Sequence, residues 1–208
     1  MAKLILATRN EGKVREIVAL LAPLGVEVVS LAAYPEIPEV AEDGDTFVEN
    51  ALAKARTVMT YTGRLVMADD SGLEVDALNG APGVHSARFA GEPRDDARNN
   101  QKLLHLLQGV PFEQRTARFR CVIALVAPDG TERISEGVCE GLIGFEPRGT
   151  GGFGYDPLFY VPDLGKTFAE LDLETKNRIS HRARALLAAR DVVADMLGLR
   201  NVLTKAED

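Results

Sequence analysis

Two adjacent carboxylates follow an apolar stretch in the first half of the chain. Residues 69–72 read Asp-Asp-Ser-Gly and come directly after the apolar residues 65–68. Acidic side chains at the carboxyl end of a sheet strand are well placed to hold a hard divalent cation. Glu42 and Asp43, in a loop further upstream, can converge on the same ion. The alternatives are ordinary Asp-Gly turn chemistry for residues 69–72 and a solvated acidic loop for Glu42 and Asp43.

A polar turn separates the first apolar stretch from the first helical pattern. Residues 8–13 read Thr-Arg-Asn-Glu-Gly-Lys. A turn that leads into a helix presents free backbone N–H groups, which form a natural anion site, and Thr8, Asn10 and Lys13 add side-chain donors. The segment is not a P-loop, because the Gly-x-x-x-x-Gly-Lys-[Ser/Thr] pattern is absent. The local spacing fits an anion site and a plain polar turn equally well.

Two segments in the second half of the chain are also candidates for binding. Residues 149–156 contain four glycines within six positions, together with the aromatic residues Phe153 and Tyr155. Glycines let a ligand approach the main chain, and the two rings are suited to stacking on a nucleobase. Lys176 and the Ser-His-Arg run at 180–182 lie off the apolar stripe of the last helical pattern. A flexible connection and a surface basic cluster are the respective alternatives.

These segments must be positioned by an α/β framework, which the hydrophobic pattern predicts. The hydrophobic pattern of residues 3–31 predicts a strand, a turn, a helix and a second strand, which favours a sheet with helices packed on it. A Thr-x-x-Glu capping box at residues 46–49 predicts the start of a long helix, and Asp129-Gly130 predicts a hairpin. The pattern predicts strands at 3–8, 26–31, 65–68, 73–78, 116–127 and 131–145, and helices at 13–24, 46–62, 95–108 and 175–197. The last helix is expected to bury Ile179, Ala183, Leu186, Leu187, Val193 and Leu197.

Composition excludes several classes of protein. The chain has 208 residues, 46% of them hydrophobic, and a formal net charge of −7. An acidic chain lacks the excess of Lys and Arg that sequence-independent nucleic-acid binding requires. No apolar run approaches a membrane span, and the N-terminal apolar stretch is too short for a signal peptide, so a cytoplasmic location is expected. The two cysteines, Cys121 and Cys139, are expected to be buried free thiols rather than a disulfide.

Together the four polar segments supply what a nucleoside-triphosphate site requires: a phosphate-binding turn, a metal-binding pair of acids, stacking rings and hydrogen-bond donors. Six stretches also resemble the motifs of the inosine-triphosphate pyrophosphatase family, also called the dITP/XTP pyrophosphatases. They lie at residues 6–13, 46–51, 68–73, 80–88, 149–157 and 179–182. The motifs follow the order of the family, and the resemblance extends from about residue 4 to residue 197.

The resemblance implies an α/β fold in which helices flank an elongated mixed β-sheet, with two lobes around a central cleft in a single domain over residues 1–208. It implies Mg²⁺-dependent hydrolysis of non-standard purine nucleoside triphosphates (dITP, ITP and XTP) to the monophosphate and pyrophosphate, which removes them from the nucleotide pool. It also implies a homodimer, whereas the expectation of no nucleic-acid or membrane partner comes from the charge and the composition.

The resemblance further assigns roles residue by residue. Glu42 and Asp70 are the implied Mg²⁺ ligands, and Asp70 is also the implied general base. The implied substrate-binding residues are Thr8, Arg9, Asn10, Glu11, Gly12, Lys13, Ser71, Phe153, Gly154, Tyr155, Asp156, Lys176, His181 and Arg182. Arg9 departs from the family pattern, which often has a smaller residue there, and a turn is expected to tolerate the change.

Two other functions compete with this interpretation. One is a pyrophosphatase of similar architecture that acts on pyrimidine or modified nucleotides. The other is a nucleotide-binding sensor that does not hydrolyse its ligand, which the Asp69-Asp70 pair beside a phosphate-binding turn disfavours.

Overall fold

The computed structural model describes residues 2–199 as a seven-stranded sheet with flanking helices. The strands are β1 (Lys3–Leu6), β2 (Glu27–Ser30), β3 (Val66–Val75), β4 (Thr116–Val126), β5 (Glu132–Ile143), β6 (Phe159–Val161) and β7 (Lys166–Thr167). The α-helices are α1 (Glu11–Leu21), α2 (Phe47–Thr62), α3 (Asp96–Leu106), α4 (Leu173–Ile179) and α5 (His181–Met196).

The sheet is mixed, as the sequence predicts. The strand order is β2-β1-β3-β4-β5-β6-β7. Strand β1 pairs in parallel with β2 and β3, whereas β6 pairs antiparallel with β5 and β7. The parallel part arises from strand–helix–strand connections, and short connections at the other end give antiparallel neighbours. The predicted α/β class with a mixed sheet is therefore confirmed.

The chain divides into two compact units, each with its own apolar core. Among the described residues, the first comprises 2–70, 121–137 and 182–199, and the second comprises 71–120 and 138–181. In the first unit, α1 and α5 pack through Ile17, Leu21 and Leu186 against residues of β1, β3 and β4. In the second, residues of β3, β4, β5 and β6 form a core with Leu103 and Leu107, at the end of α3.

Local signals in the sequence fix several element ends. Thr46 caps α2 and accepts a hydrogen bond from the Glu49 amide, while the Glu49 carboxylate accepts one from the Thr46 amide, so the predicted capping box is present. Gly63 ends the same helix in the left-handed region, at φ 59°. These two signals place the observed helix at the predicted bounds, because both satisfy backbone groups that the helix ends leave without intrahelical partners.

Two predictions of secondary structure and one of burial are wrong. Residues 65–68 and 73–78 do not form separate strands, because β3 runs without a break through residues 69–72. The predicted helix at 175–197 is two helices, since Ser180 has an extended backbone (ψ 154°) between α4 and α5. Leu187, predicted to be buried, lies on the outer side of α5 and is 56% exposed.

Both cysteines are buried free thiols, as predicted. Burial is the main reason that the pKa of Cys121 rises to about 12, so this thiol stays protonated at neutral pH. Among residues 2–199, no helix combines the length and the apolar character that crossing a membrane requires.

Candidate functional site

The turn before α1 is held by its own side chains. Asn10 caps the helix, and its Oδ1 accepts hydrogen bonds from the Gly12 amide at 2.9 Å and the Lys13 amide at 3.2 Å. Thr8 Oγ1 accepts one from the Asn10 amide at 3.1 Å. The prediction that these helical amides are free for a ligand is therefore wrong for Gly12 and Lys13.

Arg9 and Glu11 stand apart from the other residues of this turn. Arg9 is exposed, and its guanidinium donates to the carbonyl oxygens of Tyr34 at 3.3 Å and Ile37 at 2.7 Å. Glu11 is exposed in the first turn of α1, where a negative charge suits the helix dipole. The observed contacts of Arg9 brace the loop that follows β2.

The two adjacent carboxylates lie inside strand β3 rather than at its end. Consecutive side chains of a strand point to opposite faces of the sheet, so Asp69 and Asp70 cannot converge on one ion as neighbours. Asp69 contacts residues of α1 and α5, whereas Asp70 contacts residues of α2. The predicted position at a strand end is wrong, and so is the alternative of a turn, whereas metal binding by Asp70 stays a prediction. Ser71 follows on the same strand and is half-buried.

Asp69 belongs to a buried network of charges. Its Oδ2 lies 2.8 Å from Lys13 Nζ and 3.4 Å from Arg182 Nη2, and Arg182 also pairs with the buried Glu16. Burial alone would raise the pKa of Asp69, but Lys13 and Arg182 hold that pKa well below its usual range. Asp69 therefore pairs with two cations as a carboxylate at neutral pH.

Asp70 is the carboxylate that a second acid approaches. Lys54 Nζ lies 3.0 Å from Asp70 Oδ1 and 2.9 Å from Glu42 Oε1, so both acids converge on one ammonium group. Asn50 Nδ2 donates to Asp70 Oδ2 at 3.1 Å. Burial raises the pKa of Asp70 above its usual range despite the opposing charges of Lys54 and Lys13, which makes it a stronger proton acceptor than an exposed aspartate.

The sequence analysis missed Lys54 and Asn50 as site residues. The spacing contained a signal, because residues four apart share one helix face, and both are polar residues on the buried face of α2.

Asp43, the neighbour of Glu42, is exposed. Across the described part of the chain, no three His, Cys, Asp and Glu side chains form a group that could hold a metal ion. In the cluster around Lys54, the side chains that could bind a cation are the carboxylates of Glu42 and Asp70.

The glycine-rich loop of the second unit is folded around Asp156. Asp156 Oδ2 accepts hydrogen bonds from the Phe153 amide at 2.9 Å and from Lys176 Nζ at 2.7 Å. A Cβ atom at Gly152, where φ is +72°, would lie 2.1 Å from the same carboxylate oxygen, so only glycine fits there. Lys176 Nζ also lies 4.9 Å from the centre of the Phe153 ring. Asp156 and Lys176 thus fix the position of that ring.

Tyr155 does not serve as a second stacking ring. It is 4% exposed, and its hydroxyl donates to the Ser86 carbonyl oxygen at 2.8 Å. Burial raises the pKa of this hydroxyl. The prediction that both aromatic residues of the loop can stack on a base is therefore wrong for Tyr155, because its ring fills the core of the second unit.

The peptide of Gly154 is held from outside the loop by helix α3. Asp96 Oδ2 accepts a hydrogen bond from the Gly154 amide at 2.7 Å, and Asn100 Nδ2 donates to the Gly154 carbonyl oxygen at 2.9 Å. The i, i+4 spacing of Asp96 and Asn100 places both on one helix face. Neither residue was among the predicted site residues, because the sequence indicated only that they belong to a helix.

The basic group near the last helix is buried rather than exposed. Lys176, Ser180, His181 and Arg182 are each 5% exposed or less, so the alternative of a surface basic cluster is wrong. The break at Ser180 separates Lys176 on α4 from Arg182 on α5. The His181 ring stacks on Phe119, with centroids 4.7 Å apart and an angle of 17° between the rings.

Comparison with known proteins identifies the family of the chain. The sequence profile of the Ham1 family matches residues 4–192. The chain belongs to the Ham1 family. This Ham1 chain is 61% identical over 191 residues to the dITP/XTP pyrophosphatase of Desulforamulus reducens, an alignment that covers 92% of this chain and 95% of the relative.

Solved structures of relatives share the fold of this Ham1 chain. A HAM1 protein from Coxiella burnetii superposes with a TM-score of 0.84 at 45% identity, covering 94% of this chain and 100% of that one. A nucleoside-triphosphatase, also named dITP/XTP pyrophosphatase, from Mycobacterium abscessus gives a TM-score of 0.73 at 48% identity, covering 89% of this chain and 97% of the other.

Proposed function

We propose that this chain hydrolyses the non-standard purine nucleoside triphosphates dITP, ITP and XTP to the monophosphate and pyrophosphate, and so removes them from the nucleotide pool. The observation that carries the proposal is the 61% identity, over 92% of the chain, to a dITP/XTP pyrophosphatase. The charge clusters support it, because a triphosphate site needs cations for phosphates and a carboxylate that accepts a proton.

Glu42 and Asp70 are the proposed Mg²⁺ ligands. Mg²⁺ usually takes one or two protein carboxylates together with water and substrate phosphates. The two acids fit that requirement, because they already converge on one positive group, the Lys54 ammonium. When bound, Mg²⁺ neutralises phosphate charge and stabilises the leaving pyrophosphate.

Asp70 is the proposed general base. Its buried carboxylate would accept a proton from a water molecule whose oxygen bonds to the α-phosphorus. The bond from that phosphorus to the oxygen bridging it to the β-phosphorus breaks, and pyrophosphate leaves with the bridging oxygen. Asn50, which donates to Asp70 Oδ2, would orient the carboxylate during this step. Thr8, Asn10, Lys13 and Ser71 would bind the polyphosphate, with Arg9, Glu11 and Gly12 completing the turn.

The loop around Asp156 is the proposed purine site. Phe153 would stack on the base, and the donors of Lys176, His181 and Arg182 would recognise the oxygen at position 6. Adenine carries an amino group at that position, so a donor would face a donor and lose about 1–3 kcal/mol for the unpaired group. Gly154, Tyr155 and Asp156 would hold the loop in the shape that this recognition needs.

A panel of triphosphates, assayed for pyrophosphate release with and without Mg²⁺, tests the function. We expect dITP, ITP and XTP to be used with Mg²⁺, ATP and dATP poorly, and none without the metal. Preference for pyrimidine or modified nucleotides would contradict the assignment of substrate. Binding of dITP without release of pyrophosphate would indicate a sensor instead.

The contact of α3 with Gly154 gives a second test, of the purine site alone. Asn100→Ala removes the bond to the Gly154 carbonyl oxygen, and we expect the KM for dITP to rise by about three- to tenfold. Gln101→Ala is the control, because Gln101 is the next residue of α3 and its side chain is exposed. Equal KM values for the two variants would show that Gly154 does not position the base.

The homodimer and the cytoplasmic location stay predictions. Size-exclusion chromatography with light scattering measures the mass of the protein in solution, and a mass of one chain would contradict the homodimer.

A further inference from the structure

Lys54 occupies the space between the two proposed metal ligands. Its ammonium group is bonded to Glu42 Oε1 at 2.9 Å, Asp70 Oδ1 at 3.0 Å and the Asp69 carbonyl oxygen at 2.8 Å. These three acceptors match the three donors of an ammonium group. The residue is 8% exposed and lies on the buried face of α2, so this geometry is built into the core of the first unit.

An ammonium group and a magnesium ion compete for the same two carboxylate oxygens, Glu42 Oε1 and Asp70 Oδ1. A magnesium ion bound to both carboxylates would lie about 2.1 Å from each oxygen, whereas the Lys54 nitrogen is within 3.0 Å of the same two oxygens. The two cations would then lie at most about 5 Å apart, and their like charges repel at such a short range. Binding of the metal through Glu42 Oε1 and Asp70 Oδ1 therefore competes with the ammonium group for its two carboxylate partners.

We propose that Lys54 is a built-in competitor of Mg²⁺, so that the metal binds tightly only together with the nucleotide. The phosphate oxygens of the nucleotide give the displaced ammonium group a new partner, which removes the penalty of expelling it. The identity of that nucleotide rests on the proposed function. Because coupling between two ligands is reciprocal, Mg²⁺ strengthens nucleotide binding by the same factor.

Lys13 is not an equivalent competitor. Its ammonium group pairs with Asp69 Oδ2 at 2.8 Å, and the Asp69 side chain points to the opposite face of β3 from Asp70. Lys13 contributes positive potential to the same region, since its charge lowers the pKa of Asp70, but no bond to Glu42 or Asp70 is observed for it. Comparing the two lysines therefore separates occupancy of the site from the general effect of a positive charge.

Titration calorimetry with MgCl₂ alone, at constant ionic strength, tests the proposal. Lys54→Met removes the charge and keeps the apolar stem, and we expect it to bind Mg²⁺ about ten- to a hundredfold more tightly than the unmodified protein. Lys13→Met should change the affinity several-fold at most. Arg56→Met removes a charge from the exposed side of α2, where Arg56 pairs with Glu132, and should leave the affinity unchanged.

The coupling is measured by repeating the titration with an ITP analogue that has a methylene bridge between its α and β phosphorus atoms. The analogue should tighten Mg²⁺ binding strongly in the unmodified protein and weakly in Lys54→Met.

Lys54→Gln, which keeps a donor for the Asp69 carbonyl oxygen, serves if Lys54→Met does not fold. Equal Mg²⁺ affinities for the folded Lys54 variants and the unmodified protein would overturn the proposal. Pyrophosphate release by the unmodified protein reports separately on the proposed function.

Discussion

Asp70→Asn is expected to lower kcat for dITP by about 10²–10⁴-fold or more, with the fold retained. The change keeps the size of the side chain and an oxygen that can accept the hydrogen bond of Asn50. It removes the negative charge and most of the basicity, and general-base contributions alone are typically of this size. Loss of one of the two carboxylates proposed to hold Mg²⁺ adds to the effect. Steady-state release of pyrophosphate at saturating Mg²⁺ measures it.

Asp43→Asn is the matched control for this experiment. Asp43 is exposed beside Glu42, so the same chemical change there should leave kcat within about twofold of the original value. A folded Asp70→Asn protein with near-normal kcat would remove Asp70 from both proposed roles. A large loss in Asp43→Asn would instead mean that the acidic loop acts as a whole.

Arg182→Met is expected to lower the free energy of unfolding by about 3–5 kcal/mol. Arg182 is 1% exposed and is the shared partner of Glu16 and Asp69, so its loss leaves two buried carboxylates without their common cation. For a chain of this size, that corresponds to a fall in Tm of roughly 6–20 °C. Denaturant titration followed by circular dichroism measures the change.

Arg190→Met on the same helix is the control. Its guanidinium pairs with Asp191 at 3.4 Å on the exposed side of α5, and such pairs contribute about 0–1 kcal/mol. Adding Glu16→Gln to Arg182→Met should recover part of the loss, because it removes a buried negative charge that Arg182 stabilises. Similar stabilities for the Arg182 and Arg190 variants would show that the buried network contributes little to folding.

The Arg182 prediction also limits how base selection can be tested. In Arg182→Ala, a change in the preference for ITP over ATP could have two causes. One is the loss of a contact with the base, and the other is the loss of the ion pairs with Glu16 and Asp69. Lys176 pairs with Asp156, a residue of the proposed purine site itself, at 2.7 Å. It is therefore the cleaner position for comparing ITP with ATP.

The sequence determined those features that depend on neighbouring residues along the chain. The capping box at Thr46 and the glycine at 63 define α2, and hydrophobic periodicity with the Asp129-Gly130 turn predicts the helices and the hairpin. The chemical inventory of the site could also be predicted, because residue types and motif order do not depend on how the chain folds. Together with the family resemblance, these signals gave the fold class and the candidate residues.

Only the tertiary structure decided which charged groups meet. Asp-Asp-Ser-Gly is poor strand sequence, yet β3 continues through it because buried cations from three helices compensate its carboxylates. The alternation of side chains along that strand then separates Asp69, which binds Lys13 and Arg182, from Asp70, which faces Lys54 and Glu42. Burial of a charge is stabilised only by partners distant in sequence, so no local pattern could have assigned these pairs.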